Sequence, residues 1–134
     1  MADAQSRRRL QWALGATAAI PAASAVGEIA RGAQGVPGGS AEVAPTVDSS
    51  LRYANVFKLS WSFVIWSQLP RAERSSAVTW SLATLFVGGL ARVRSWQQRG
   101  RPHPVAVVAT ALELVAPPVL IARQRHIASR RRPR

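Results

Sequence analysis

Cysteine is absent from this chain of 134 residues, which excludes disulfides, thiolate nucleophiles and Cys-ligated zinc or iron–sulfur sites. Acidic charge is scarce as well: 6 Asp and Glu stand against 18 Lys and Arg, a formal net charge of +12. Histidine occurs twice, at His103 and His126. The topology derived below sets the two a membrane thickness apart, so they share no metal. With no Cys, and no His near Asp48 or Glu113, hydrolytic triads and redox centres lack parts. Gly32–Ala33–Gln34–Gly35 lacks the strand-and-helix setting of a phosphate-binding loop. Neither a fixed-period repeat nor the alternating segments of a β-barrel occur. The expectation is a protein without a catalytic centre, a metal or a cofactor.

What the chain does hold is apolar residues gathered into blocks. Hydrophobic residues make up 48% of it, too many for a disordered basic tail, and the length suits one domain. The mean hydropathy of +0.02 averages apolar blocks with arginine-dense ones. Four blocks stand out, at 10–30, 51–69, 76–93 and 104–122. They are joined by a Gly/Pro/Ser-rich loop entering a helix at Asp48–Ser49–Ser50, by the turn 70–75 and by the polar connection 94–103. A basic tail, 123–134, follows. A helix of about 20 residues covers ~30 Å, the thickness of a bilayer core, and in lipid only helices and closed barrels satisfy their own backbone. The expected fold is all-α, an antiparallel four-helix transmembrane bundle in a single domain. A soluble bundle with unusually apolar helices is the alternative.

Arginine sets the expected orientation. Arg7, Arg8, Arg9, Arg71, Arg74, Arg123, Arg125, Arg130, Arg131, Arg132 and Arg134 would share one side, eleven in all; Arg31, Arg52, Arg92, Arg94, Arg99 and Arg101, six in all, the other. The positive-inside rule then puts both termini in the cytoplasm. These arginines flank apolar blocks without an interleaved aromatic surface, so they suit anionic lipid headgroups better than nucleic acid. Ser6–Arg7–Arg8–Arg9–Leu10–Gln11 resembles a twin-arginine export signal and Ala23–Ser24–Ala25 a cleavage pattern. Against cleavage, Gly15, Ala19, Ala23 and Gly27 recur every four residues on one face, a stripe that admits a neighbouring helix or a second copy of the chain.

The charges inside the blocks carry the functional reading. Ionisable groups within a span are costly, so they face the bundle interior and pair. Glu28, Asp48, Arg52, Lys58, Arg92, Ser95 and Glu113 all fall in the outer half of the expected bundle, with Glu113 ~14 Å from the outer start of its helix. Arg52, Asn55, Lys58 and Ser62 occupy about a 120° sector of the second helix, a polar stripe that must turn inward. Pro117 and Pro118 kink the fourth helix and free the carbonyls of Glu113 and Leu114, an acceptor patch for which Lys58, Arg52 and Arg92 are the available donors. One reading is that these groups only neutralise one another and fix register. The other is an outward-facing polar cavity for a small polar or anionic ligand or a lipid headgroup.

The segment from Asp48 to about Ile127 resembles the bacterial integral-membrane family known as domain of unknown function 4345. An acidic–Ser–x–x–Arg–aromatic signature appears as Asp48, Ser49, Arg52 and Tyr53, and a Gly-Gly-x-small-Arg-x-x-Ser signature as Gly88, Gly89, Ala91, Arg92 and Ser95. Gly100–Arg101–Pro102 supplies a Gly-x-Pro, and Glu113 precedes Pro117 and Pro118 as a glutamate precedes paired prolines in the family. The resemblance implies a small four-helix membrane protein and no activity. Lys58 departs from the pattern, where members look mostly apolar, and the first loop is longer than usual. The combined expectation is a multi-pass protein of the bacterial inner membrane, not an enzyme, that binds a ligand or lipid or serves as an accessory or scaffold in a membrane assembly. The alternative is a small transporter-like protein or an enzyme using Glu113 as a buried acid/base.

Overall fold

Prolines, glycines and small polar residues punctuate the chain into four helices. In a computed structural model that describes residues 2–130, these are α1 (Ala2–Arg31), α2 (Pro45–Gln68), α3 (Ser76–Arg99) and α4 (Pro104–Ser129). Short 3-10 turns at Gly32–Gly35 and Leu69–Arg74 follow α1 and α2. Pro45 and Pro104 each occupy the first turn of a helix, where a missing N–H costs nothing. The Ser75 hydroxyl accepts from the Val78 N–H to cap α3, and His103 Nδ1 accepts from the Val105 N–H to cap α4. Gly100 ends α3, its N–H returning to the Trp96 carbonyl at 2.9 Å.

Every helix outruns its expected apolar block. The first seven residues of the basic tail continue α4, because Gln124 and Ile127 are buried along the same face as Leu120. Arg131, Arg132 and Arg134 lie outside the described residues. The connection after α3 shrinks to 100–103, and α2 begins at Pro45 rather than at Asp48–Ser49–Ser50.

Successive helices run antiparallel, so two ends can be distinguished. The terminal end carries the start of α1, the Leu69–Arg74 turn and the end of α4. The loop end carries residues 32–44 and 100–103. α1 packs most extensively on α2, and α3 on α4, giving two hairpins that meet along narrower α1/α4 and α2/α3 seams. The hydrophobic core sits towards the terminal end: Leu10, Leu14 and Ala18 of α1 meet Ile65, Val78, Leu82, Leu120 and Ile127.

Three helices, α1, α3 and α4, are long and apolar enough to cross a membrane. The sequence suggested four such segments. α2 has the length, but Arg52, Asn55, Lys58, Ser60 and Ser62 lower its hydropathy. Its polarity is turned inward: Asn55 is 3% exposed and Ser62 fully buried, whereas Tyr53, Phe57 and Phe63 face outward. Exposed large apolar side chains also cover the other helices, among them Trp12, Trp80, Val87, Val108 and Val115. A water-soluble fold has the opposite distribution.

The stripe of Gly15, Ala19, Ala23 and Gly27 lies beside the buried face of α1 rather than on it. Ala19 and Ala23 are exposed, and the buried face is Leu10, Leu14, Ala18, Ala22 and Ala25, one residue round the helix. A periodicity of four fits both faces of an alanine-rich helix, and it is the larger Leu10 and Leu14 that decide which one is buried. Of the stripe, Gly15 does meet α2: Trp66 Nε1 donates to its carbonyl at 3.2 Å.

A buried polar network at the terminal end had no counterpart in the sequence reading, which placed the ionisable groups at the opposite end. Gln124 of α4 donates to the carbonyls of Ala72 at 2.7 Å and Ser75 at 2.8 Å, and accepts from Thr79 Oγ1 at 2.9 Å. Glu73, also buried, pairs with Arg7, which donates as well to the Pro70 carbonyl. These contacts fasten the connection between the hairpins to α1 and α4. Gln124→Ala should remove the short side-chain hydrogen bonds to two buried carbonyls, leaving them only the longer backbone ones from Ser75 and Thr79, and cost about 1–3 kcal/mol, whereas Arg123→Ala, on the exposed face, should be neutral; thermal melts in detergent compare the two.

Candidate ligand-binding site

The site begins at a close approach of α3 and α4. A Cβ on Gly89 would lie 2.9 Å from Leu114 Cδ2 and 3.2 Å from the Cβ of Glu113, so a side chain here would have to push Leu114 and Glu113 aside, and glycine eases the close approach of the helices. Gly88, its neighbour in the signature, has open space around it. Arg92, three residues past Gly89 on the same helix face, is thereby delivered to Glu113, and its Nε lies 2.9 Å from Glu113 Oε2. Glu113 is 17% exposed and Arg92 44%. Across the bundle, Lys58 Nζ of α2 donates to Glu28 Oε2 of α1 at 3.0 Å. Each hairpin thus neutralises its own buried charge.

Asp48 and Arg52 form a separate assembly and do not join Lys58, Arg92 and Glu113. Asp48 Oδ1 accepts from the Ala33 N–H at 2.8 Å, and its Oδ2 from Arg52 Nε at 2.7 Å. Arg52 Nη1 donates in turn to the carbonyls of Ile29 at 2.6 Å and Ala30 at 3.1 Å, which end α1 without helical donors. The pair is therefore a cap that ties the first loop to α1. Gly32, at φ +60°, completes it, because any Cβ there would run into the Asp48 carboxylate. The reason for the separation is helical: six residues from Arg52 to Lys58 mean ~9 Å of rise and ~120° of turn. Ser95 is exposed, one turn beyond Arg92 towards the loop end, and does not line the cavity described next.

Lys58, Arg92 and Glu113 line a common cavity of about 220 Å³. Its walls are mostly apolar and small: Ala16 and Ile20 from α1, Leu85 from α3, and Ala109, Leu112 and Ala116 from α4. This exceeds the ~150 Å³ that accommodates benzene in an engineered apolar cavity. Thr17 and Pro21 also line it. Pro21 lacks an N–H, so the Thr17 carbonyl has no helical donor, just as Pro117 frees the carbonyl of Glu113. α4 nonetheless runs unbroken through Pro117, which is buried, and Pro118, which is exposed. A second, smaller hollow reaches Lys58, Arg92 and Glu113 from the α2/α3 side, past Trp61, Thr84 and Gly88. The charged residues therefore stand between the two seams, with guanidinium, ammonium and carboxylate at one level of an otherwise apolar space. Such a place can orient an amphipathic molecule. Among the described residues no group of three or more His, Cys, Asp and Glu side chains is arranged to hold a metal.

The family model described as Domain of unknown function (DUF4345) matches residues 9–124. The chain belongs to this family. The match takes in most of α1, more of the chain than the motifs alone covered. In this DUF4345 chain the Gly-Gly-x-small-Arg motif has a physical meaning: Gly89 eases the approach of α3 to α4 and Arg92 uses it. The acidic–Ser–x–x–Arg motif is the loop cap. Neither the curated proteins nor the solved structures contain a match.

The sequence places Glu28 among the outer charges without fixing its partner. The only clue was that Glu28 and Lys58 sit at similar expected depth on adjacent helices, and depth alone left Lys58 free to serve Glu113.

Gly89→Leu should force α3 from α4 and cost about 1–3 kcal/mol, while Gly88→Leu should be nearly neutral; chemical denaturation in mixed micelles separates them. Asp48 supplies a pH test. The Arg52 guanidinium and the Ala33 N–H hold its carboxyl below the ordinary aspartate range. A lowered folded-state value gives stabilisation that is complete above the unfolded value of about 4 and is lost as pH falls through the lower folded one. Protection of the backbone amides of residues 29–36, taken relative to the exchange of an unstructured chain at the same pH, should fall as the pH drops below about 4, and Asp48→Asn should show the lower protection already at neutral pH.

Proposed function

We propose that this protein crosses the membrane four times and acts as a non-catalytic binding protein, holding a small amphipathic ligand around Lys58, Arg92 and Glu113. The observation that carries the reading is the cavity itself, which joins apolar walls to a charged level inside a bundle whose outer surface is apolar. A cluster serving only to fix helix register has no need of that space. The inward polar face and outward aromatic face of α2 support its crossing with the others, shielded by its neighbours. The excess of arginines at the terminal end favours both termini in the cytoplasm. The family resemblance favours a bacterial inner membrane, where the basic residues would meet anionic lipid headgroups. The reach of the family match into α1 supports a retained first helix.

Filling the cavity tests the reading. Melting temperatures of the wild type and of Ala109→Phe would be measured in dodecyl maltoside with short-chain amphiphiles bearing carboxylate, amine or polyol heads. At least one should stabilise the wild type, by about 2.7 kcal/mol at a hundredfold excess over Kd, and Ala109→Phe should lose that shift while still folding. Equal shifts in both proteins, or none in either, would overturn the proposal.

A further inference from the structure

Resting on that reading, we infer that the ligand is a single hydrocarbon chain with a small anionic head, a carboxylate or a phosphate monoester, taken laterally from the bilayer leaflet at the loop end. Polarity is graded along the cavity. α1 contributes Ala16, Ile20 and Ser24, in order from the terminal towards the loop end, over ~12 Å of helix. α3 contributes Leu85 and then Arg92, ~10 Å further towards the loop end. The charges and Ser24 thus lie at the loop-end side, and the wall of Ala16, Leu85 and Ala116 lies deeper, where the Thr17 hydroxyl is taken up by the Ala13 carbonyl. A lipid of that leaflet has the same order, head towards the surface and chain towards the midplane.

The sign of the head follows from the surplus of donors. The Nε of Arg92 faces Glu113, and among the described residues no hydrogen bond is found from its two Nη groups. Lys58 has three N–H donors and spends one on Glu28. A guest acceptor of negative charge uses the remaining donors of both side chains, and a guanidinium fork suits a carboxylate or a phosphate. The way in is the α1/α4 seam. Ala16, Ile20, Ser24 and Leu112 line the cavity and are also exposed on the outer surface of the bundle, so the space opens sideways where chains would lie. Alanines on both lips, Ala16 and Ala109, leave that mouth wide.

Photocrosslinking in phosphatidylcholine vesicles holding the full-length protein tests this. The probes are diazirine-bearing C10 chains ending in a carboxylate, a phosphate monoester, a methyl ester or an amine, with labelled peptides read by mass spectrometry. An anionic probe should label residues 16–24 and 109–116 about tenfold more than the ester does, and whichever anion labels better assigns the head. Arg92→Gln should lower that labelling about tenfold. Where this variant fails to fold, Lys58→Gln serves, with a smaller loss expected. Equal labelling by the ester, or labelling spread evenly over outward residues such as Phe57 and Phe63, would overturn the inference. Preferred capture of the amine would overturn the anionic assignment and leave the binding cavity standing, whereas labelling unchanged by Ala109→Phe would overturn both.

Discussion

Charge buried in an apolar bundle has to find its partner close by, and beside the cavity each charge finds it within its own helix hairpin. Lys58 meets Glu28 across α1 and α2, and Arg92 meets Glu113 across α3 and α4. An unpaired ion in such surroundings is costly, so each pair fixes the register of its hairpin. Because the pairs close within the hairpins, neither ties one hairpin to the other. Gly89 makes the second pair attainable by bringing α3 onto α4 at the level of Glu113.

The hairpins are joined at the opposite end by different means. Packing of Leu10, Leu14, Val78, Leu82 and Leu120 closes the terminal half, and Gln124 anchors the Leu69–Arg74 turn and the cap of α3 through the carbonyls of Ala72 and Ser75. A further tie crosses the α2/α3 seam, where Trp61 Nε1 donates to the Ser81 carbonyl at 2.9 Å. The bundle is therefore tight at one end and hollow towards the other. That asymmetry places a cavity beside the ion pairs, with small side chains along the α1/α4 seam.

The loop end is organised by a third set of contacts. Asp48 and Arg52 close the end of α1 and hold the first loop to the start of α2, and Gly38 of that loop comes against His103 at the start of α4. The cavity thus lies between a capped loop region and a packed core, and its free edges are the seams between the hairpins. In a family whose description assigns no activity, this geometry and its chemistry are what function has to be argued from.

Sequence alone determined the helices and their antiparallel order, because apolar blocks of spanning length separated by prolines and glycines leave a membrane-embedded backbone few alternatives. It determined the inward face of α2, since Arg52, Asn55, Lys58 and Ser62 recur with helical period, and it made Arg92 one of three candidate donors to Glu113. Depth and period are one-dimensional quantities, and they do not say which neighbour a side chain meets. Only the tertiary structure decided that Lys58 turns to Glu28 and that Arg52 is spent on the end of α1. Only packing decided that Leu10 and Leu14, rather than the Gly15–Gly27 stripe, mark the buried face of α1. Gln124 and Glu73 were invisible for the same reason: a polar residue near a basic tail or in a turn reads as solvated until the fold closes over it.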